Sequence, residues 1–556
     1  MKVSRRDLLL GTAGVTVGMV FTPVPWKLLG DVSVWTQNWP WVPQPQRGPV
    51  TVKQGLCTLC ASGCPMRLCM AGGWPVGISG VKSNPLTKGA LCSLGFAAHQ
   101  LNWHPARLRE VRHRGRVANW QEAQAALEKA CSEGPVVVVD GRPGRAVSTV
   151  LQEFAEKHDV AYRVALSPGE KAFAPYADWT GIPSSSFGYD LENARTIVSF
   201  GTPLLEDWGI PGRFARVWSE KAAGKDDPEL RLIQIDAKLS HTAACAWRWV
   251  AIREGSDAAL AGAVARILVE DNLVPARVAI PVTMLEDAAA QTGLAVEAIR
   301  QLAHVLLEKK PTLVIARDGN PEIAALNVLL GRVGEPGGVV QRGGAGRAEV
   351  PLEENPSKYR AIVLDASVPW EFMPRTNAEV FRFAAWDGGG NTADWLLPSP
   401  GFLEEFTDVP TAPTAARENY GIAINLVPQP EGTRTSGQLL ATIDSSLPTV
   451  EKTITLRCEQ IFHSKHGAVY GDTVQAVAQM ESAKKLEEQL RSGAIWVGDV
   501  PRTTSLHCRL KEWPAPTRIE PASDWAVEWP APVLPPLAGK LYQESNLREA
   551  PERSRA

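Results

Sequence analysis

The sequence has almost no net charge: 58 Lys and Arg against 60 Asp and Glu in 556 residues leave −2 at pH 7. Nucleic acid is therefore not expected as a partner, because binding its phosphates takes a basic face. No repeat of solenoid period runs through the chain. A bilayer-length apolar run is missing too. The main candidate, Leu8–Phe21, has 14 residues, short of the roughly 20 that span a membrane. Tyrosine is scarce, 7 against 19 Trp. The apolar content of 44% and charged content of 21% are those of an ordinary globular protein, long enough for roughly three or four domains.

The nine cysteines are unevenly placed. Four fall as Cys57-x2-Cys60-x3-Cys64, then 27 residues, then Cys92. Three thiolates on one loop with a distant fourth make a cage for a tetrahedral thiophilic centre, either an iron–sulfur cluster or a structural zinc. Zinc spacing usually shows two close pairs, whereas a triplet with one remote cysteine better suits the separate corners of a cubane. Most of the remaining five, Cys69, Cys131, Cys245, Cys458 and Cys508, read as buried small hydrophobes. Cys458 and Cys508 are the one pair to test for a disulfide.

Before the cage, Ser4-Arg5-Arg6-Asp7-Leu8-Leu9 places an arginine pair ahead of the short apolar run. This reads as a bacterial twin-arginine signal, for proteins exported already folded. It lacks a clean A-x-A site, so the segment is expected to stay attached as an anchor. Trp35, Trp39 and Trp41 then cluster in a Pro-rich stretch, Asn38 to Pro43, that cannot be regular helix. It is expected to lie across a surface of this chain or a partner.

After the cage, Trp120 to Ala130 has helical spacing with Asn119 as N-cap. Pro135–Asp140 is a β-branched buried strand, and Gly141-Arg142-Pro143-Gly144-Arg145 opens a helix to about Lys157. That strand–turn–helix unit can hold a phosphate at the helix start. Further strands are expected at Thr196–Gly201, Leu230–Asp236, Pro311–Ala316 and Arg360–Asp365, with helices at Val296–Glu308 and Ile323–Arg332. The alternation predicts an α/β architecture with mostly parallel sheets. Beyond Pro398 the chain reads as loop-rich, Glu481–Arg491 as a charged helix without a strong apolar face, and the last fifty residues as a Pro- and Trp-rich tail.

The cage and its neighbours Gly89-Ala90-Leu91-Cys92, Gln100 and His104-Pro105-Ala106-Arg107-Leu108 resemble the cluster domain of the molybdopterin oxidoreductase family. Asn119-Trp120-Gln121-Glu122-Ala123, Asp190–Pro203, Ile235-Asp236-Ala237 with Ser240 and Thr242-Ala243, and Arg253-Glu254-Gly255-Ser256-Asp257 are similar to later family motifs, in the family's order. So are Leu326–Gly338 and Ala393–Pro398. The resemblance covers roughly residues 50–410. It implies an α/β fold: an N-terminal 4Fe-4S domain, then doubly wound αβα domains, with the C-terminal β-barrel domain reduced or absent. The implied division is 1–49 signal and Trp/Pro-rich segment, 50–105 cluster domain, 106–170 with 320–410 a discontinuous αβα domain, 171–319 an inserted Rossmann-like domain, and 411–556 irregular.

The resemblance also implies one 4Fe-4S cluster on Cys57, Cys60, Cys64 and Cys92. A vestigial site for a pterin nucleotide (molybdopterin guanine dinucleotide) is implied at Gly201, Asp236, Ser256 and Asp257. Several positions depart from the family. Leu94 stands where a basic residue usually bridges cluster and pterin. The loop Ser167–Trp179 holds no cysteine as metal ligand, leaving Asp178 as the candidate, with a surface carboxylate as its plainer reading. Glu254 replaces proline beside the expected pyrophosphate position, and the segment after Pro398 is too short for the closing barrel. Together they predict a retained fold whose molybdenum site has decayed.

Similar degenerate subunits occur in periplasm-facing quinone reductases of the menaquinone type. The expected role is thus electron transfer at the periplasmic side of the bacterial inner membrane. The expected partners are a ferredoxin-like multi-cluster subunit, a multihaem cytochrome c and an integral membrane quinone-binding subunit, with Trp26–Pro43 suited to docking. The alternatives are an active molybdopterin-dependent oxidoreductase with a shortened C-terminus, and a structural subunit stapled by zinc.

Overall fold

The computed structural model describes residues 4–21, 48–206, 208–280, 285–343, 356–368, 376–387, 393–500, 506 and 508–514. The Trp/Pro-rich segment and the chain beyond 514 lie outside the described residues. At the N-terminus, Arg5–Phe21 is a helix whose Leu8, Leu9 and Leu10 are exposed. No described helix is long and apolar enough to cross a membrane.

The four-cysteine segment is built on a three-stranded antiparallel sheet of Val50–Leu56, Pro65–Ala71 and Trp74–Gly80. It leads through a short helix, Ser93–Ala97, into the discontinuous part of the fold. There a seven-stranded sheet runs in the order Arg116–Ala118, Val111–His113, Trp395–Pro398, Glu379–Ala384, Ala361–Leu364, Val136–Asp140, Ala161–Val164. The last five of these are mutually parallel, and the Val111 hairpin adds antiparallel to one edge.

The strand Val136–Asp140 shows why the sheet needs cover on both sides. Val136 and Val138 enter one core with Trp120, Leu127 and Phe154 of the helices Trp120–Glu133 and Ala146–Lys157. Val137 and Val139 enter another with Ile362, Leu364 and Val380. A strand buried on both faces reads as an unbroken β-branched run, and Val136–Val139 is one. The capping box at Asn119, with its side chain on the Glu122 amide, starts the first helix where its sequence predicts.

The inserted domain carries a parallel sheet ordered Arg248–Ala251, Arg231–Asp236, Thr196–Phe200, Thr312–Ala316. Its helix Val296–Glu308 has the predicted limits. The segment from 320 differs from expectation. Pro321–Leu329 packs Ile323, Ala325, Leu326 and Leu329 into this domain's core, so it joins the insertion and not the seven-stranded part. Asn327 fixes it there, accepting from the Val314 amide at 2.9 Å and donating to the Val314 carbonyl at 2.7 Å.

The expectation of an irregular region from 411 is corrected. An open antiparallel sheet runs Thr407–Val409, Asn419–Ala423, Ile495–Val497, Ala468–Tyr470, Val474–Ala476. Helix Ser436–Ile443 packs Leu439 and Leu440 into the core of the seven-stranded sheet, whereas Val450–Ser464 and Ala483–Arg491 pack on this C-terminal sheet. The last of these does have an apolar face, because Leu486 and Leu490, one turn apart, are fully buried beside Ile454 and Trp496. Among the described residues this sheet does not close into a barrel. Further on, Trp513 packs into the inserted domain's core, with its amide on the Ala279 carbonyl at 2.8 Å.

All nine cysteines are free thiols, Cys458 and Cys508 included, and of the five outside the cage only Cys458 is buried. Leu486→Ala is expected to cost about 2–5 kcal/mol by leaving a core cavity. Lys484→Ala on the exposed face should stay within about 0.5 kcal/mol. Urea denaturation of the two variants checks the C-terminal fold.

Candidate metal centre

Strands Val50–Leu56 and Pro65–Ala71 pair up to Leu56 and Pro65, so residues 57–64 form the loop that closes their hairpin. The Cys57 amide donates to the Cys64 carbonyl at 2.9 Å and draws the two ends together. Gly63 lies at φ +59°, and an added Cβ would sit 2.1 Å from Val409 of the C-terminal sheet. Glycine is required there on both counts. Cys92 reaches the site as the N-cap of Ser93–Ala97, where its Sγ accepts from the Gly95 amide at 3.3 Å.

The structure brings the four predicted cysteines within electrostatic reach of one another. Burial pushes the Cys64 thiol well up, and Cys60, Cys57 and Cys92 add to the shift. Cys57 is raised by burial, then by Cys60 and Cys92. Cys92 is raised by burial and by Cys60, against the amides of Gly95 and Leu94. Four thiolates crowded in a low-dielectric site oppose each other's ionisation. An iron core bound between them would remove that penalty, because a coordinating metal deprotonates the thiol. Among the described residues no three His, Cys, Asp or Glu side chains gather closely enough for a single metal ion. Cys57 and Cys64 are buried, while Cys60 and Cys92 are half-buried. Leu94 lies partly buried against the same apolar cluster as Leu59 and Met66, a setting that suits leucine and would penalise a lysine.

The loop rests on the carboxyl end of the seven-stranded sheet. Strands Val136–Asp140 and Ala361–Leu364 are neighbours there, and the chain leaves them in opposite lateral directions, the crevice where open α/β sheets place their chemistry. Gly141 lets the two strand ends close up, since a Cβ would lie 2.3 Å from the Ser367 carbonyl. Arg145 is buried between Asp140 at 3.0 Å and Asp365 at 2.6 Å. Asp140 also accepts from Ser148 at 2.5 Å and Tyr162 at 3.0 Å. Burial works against the Asp365 carboxylate, but Arg145, Ser367 and Ser436 outweigh it and hold its pKa at about 2. Beside it Glu405 is pushed up to about 7 by burial, with Asp365 and Asp408 adding and Arg145 and Arg142 opposing.

Sequence reasoning took residues 141–145 as a turn able to hold a phosphate and missed Arg142. Its guanidinium donates to the Thr58 carbonyl at 2.5 Å and the Leu59 carbonyl at 2.6 Å, inside the cysteine loop. The sequence shows only an arginine directly after the glycine that follows a buried strand, and carbonyl partners leave no mark there. Arg107, from the predicted His104–Leu108 motif, is buried in an ion pair with Glu404 and donates to the Ala385 carbonyl at 2.6 Å. It fastens the end of the cluster domain to the sheet.

The pterin-nucleotide residues fare differently. Gly201, at φ +57°, puts its amide on the Ile235 carbonyl at 2.8 Å, next to Asp236. Asp257 opens the helix Asp257–Glu270, and its carboxyl is raised by burial and then by Asp236 and Asp318. Three of the predicted residues thus meet, joined by an acid the sequence reading missed. Ser256 turns away and donates to the Arg253 carbonyl at 2.5 Å. Glu254 points to solvent, 3.9 Å from Lys238, so the acids gathered at this strand end are Asp236, Asp257 and Asp318. Carboxylates in this position can accept from the sugar hydroxyls and base N–H groups of a nucleotide and are unfavourable only where its pyrophosphate lies. Asp178 is exposed on the short helix Ala174–Thr180, as its surface reading has it.

Residues 50–102 match the family model described as the molybdopterin oxidoreductase Fe4S4 domain, so this stretch is similar to a domain of the kind that carries a 4Fe-4S cluster. Among individual relatives, the chain is 30% identical over 365 residues to the menaquinone reductase, molybdopterin-binding-like subunit, of Nitratidesulfovibrio vulgaris strain Hildenborough. That alignment covers 61% of this chain and 52% of the relative. It is 24% identical over 335 residues to the thiosulfate reductase molybdopterin-containing subunit of Salmonella typhimurium, covering 53% of this chain and 43% of the relative. The chain spans about half the length of these curated relatives. The solved structure of acetylene hydratase from Pelobacter acetylenicus superposes with a TM-score of 0.56 over 82% of this chain and 75% of its own, at 13% identity. That likeness concerns the fold alone.

Arg145→Met would leave two buried carboxylates unpaired and is expected to destabilise the chain by about 3–5 kcal/mol, read from chemical denaturation. Asp365 titrates below its ordinary 3.8, so its share of stability is complete above pH ~4 and is lost as pH falls through about 2. Acid unfolding of Asp365→Asn should lack that component.

Proposed function

We propose that the chain is the electron-transfer subunit of a membrane-associated, periplasm-facing quinone reductase complex, with Cys57, Cys60, Cys64 and Cys92 holding one 4Fe-4S cluster and no working molybdenum site. The observation that carries this reading is the pairing of a four-thiol cage with Leu94, an apolar side chain packed where the family's bridging base would stand. The donor set fits an iron–sulfur cluster: four soft sulfurs, one of them receiving a backbone N–H, on an apolar floor. When bound, the cluster supplies one-electron redox chemistry. The protein's part is to hold the cage, exclude water from Cys57 and Cys64, and leave Cys60 and Cys92 on the side open to a partner.

Likeness to a menaquinone reductase subunit supports assembly with a ferredoxin-like multi-cluster subunit, a multihaem cytochrome c and an integral membrane quinone-binding subunit. The Arg5-Arg6 pair ahead of the apolar helix supports export by the twin-arginine route, with Arg5–Phe21 kept as an anchor. Substitution of the family's bridging base by Leu94 supports a cluster that exchanges electrons with another subunit's centre rather than with a pterin.

Elemental analysis of the full chain purified from its own membranes tests the reading. About four irons per chain, with molybdenum and tungsten absent, is the expected result. Stoichiometric molybdenum or tungsten would instead establish the active-oxidoreductase alternative, and zinc alone the structural one. Cys→Ser at 57, 60, 64 or 92 should each lower the iron content, while Cys458→Ser should leave it unchanged.

A further inference from the structure

Arg142 has a surrounding that its neighbour Arg145 lacks. The Arg145 guanidinium donates to the Arg142 carbonyl at 3.0 Å and otherwise to the carboxylates of Asp140 and Asp365 and the hydroxyl of Ser367, so its charge is matched where it stands. The side-chain bonds of Arg142 end on two neutral carbonyls, Thr58 and Leu59, which are the residues between Cys57 and Cys60. The charged groups facing its guanidinium are Cys60 and Cys57 from the loop, Glu405 from the C-terminal part and Arg145 from its own turn. Arg142 is thus a fixed cation under the cysteine loop, held by its own amide on Asp140 at 2.8 Å and bordering a cavity of about 100 Å³ with Glu405, Ser367 and Trp386. The site has no such cation at position 94.

We propose that Arg142 is a positioning residue for the cluster, clamping the segment between Cys57 and Cys60 and supplying from the αβα domain the positive charge that position 94 does not provide. The inference rests on the cluster assignment made above. Reduction adds one electron from an external donor and makes the cage one unit more negative, with no bond formed or broken. A buried cation beside the loop stabilises the reduced form and raises the reduction potential, as net charge and hydrogen bonding at such clusters do. The planar fork is also the shape that holds two adjacent carbonyls at once, which an ammonium cannot reproduce.

The test uses the full chain, titrated anaerobically with dithionite at constant pH and followed by electron paramagnetic resonance, after iron has been counted in each protein. Arg142→Gln is expected to shift the reduction equilibrium at least tenfold toward the oxidised form, equivalent to a midpoint about 59 mV lower for one electron. Arg142→Lys, which keeps the charge and loses the fork, should shift it less than threefold. A Gln variant with full iron and a shift below threefold overturns the proposal, and so does a Lys variant that shifts as far as Gln. If Gln loses iron while Lys retains it at an unchanged potential, charge is what the cage needs and the proposal stands. Loss of iron from both supports the clamp, because charge without the fork then fails to keep the cage. Wild-type chain without iron is a separate result, which removes the cluster reading itself.

Discussion

One buried arginine makes the seven-stranded sheet possible at its busiest point. Asp140 and Asp365 end adjacent parallel strands, and without Arg145 between them two carboxylates would face each other in a dry crevice. Pairing turns that repulsion into a clamp that also gathers Ser148, Tyr162, Ser367 and Ser436. The clamp orders the Gly141–Arg145 turn, and the ordered turn presents Arg142 to the cysteine loop. The geometry of the metal centre therefore depends on an ion network that touches none of its cysteines. Buried networks of this kind specify one arrangement more than they add stability, and here the arrangement is the seat of the loop.

The carboxyl ends of the two parallel sheets differ in how their charges are paired. Under the cysteine loop, Arg145 is matched by Asp140 and Asp365, and Arg142 reaches two carbonyls of the loop. At the four-stranded sheet, the Asp257 carboxyl is raised by burial and then by Asp236 and Asp318. The same strand–turn–helix construction has been filled with different sets of charges. A shared fold with acetylene hydratase thus says little about which crevice is used, because function lies in the side chains at the strand ends.

Much of this was legible in the sequence, and the reasons are specific. Val136–Asp140 and Thr196–Phe200 are buried on both faces, so their composition alone marks them. The four cysteines are legible through spacing, because metal chemistry constrains it. The C-terminal sheet was not legible. Its strands have three to five residues, and Asn419–Ala423 is buried throughout while containing Asn, Gly and Tyr, so neither alternation nor an apolar run announces it. The helix Ala483–Arg491 shows only Leu486 and Leu490 among charged residues, too sparse a stripe to read without knowing what covers it. The placement of 321–329 was misjudged because an apolar helix does not say which of two sheets it packs on. Arg142 escaped for a similar reason: its partners are backbone carbonyls about eighty residues earlier, and carbonyls leave no trace in a sequence.

The pairing of Val136–Val139 with Ala361–Leu364 has a consequence for how the protein is made. Arg145 and Asp365 are separated by 220 residues, and the other supports of the cysteine loop come later still: Trp386, Glu404, Val409 and Leu426. A ribosome has released the cysteine hairpin long before it has released the surface on which that hairpin sits. Contacts this far apart form slowly and only after the intervening domain exists. The hairpin of residues 50–71 therefore waits, with its thiols uncovered, until the greater part of the chain has been synthesised. Closing of the sheet is the event that converts a loose set of cysteines into an enclosed one.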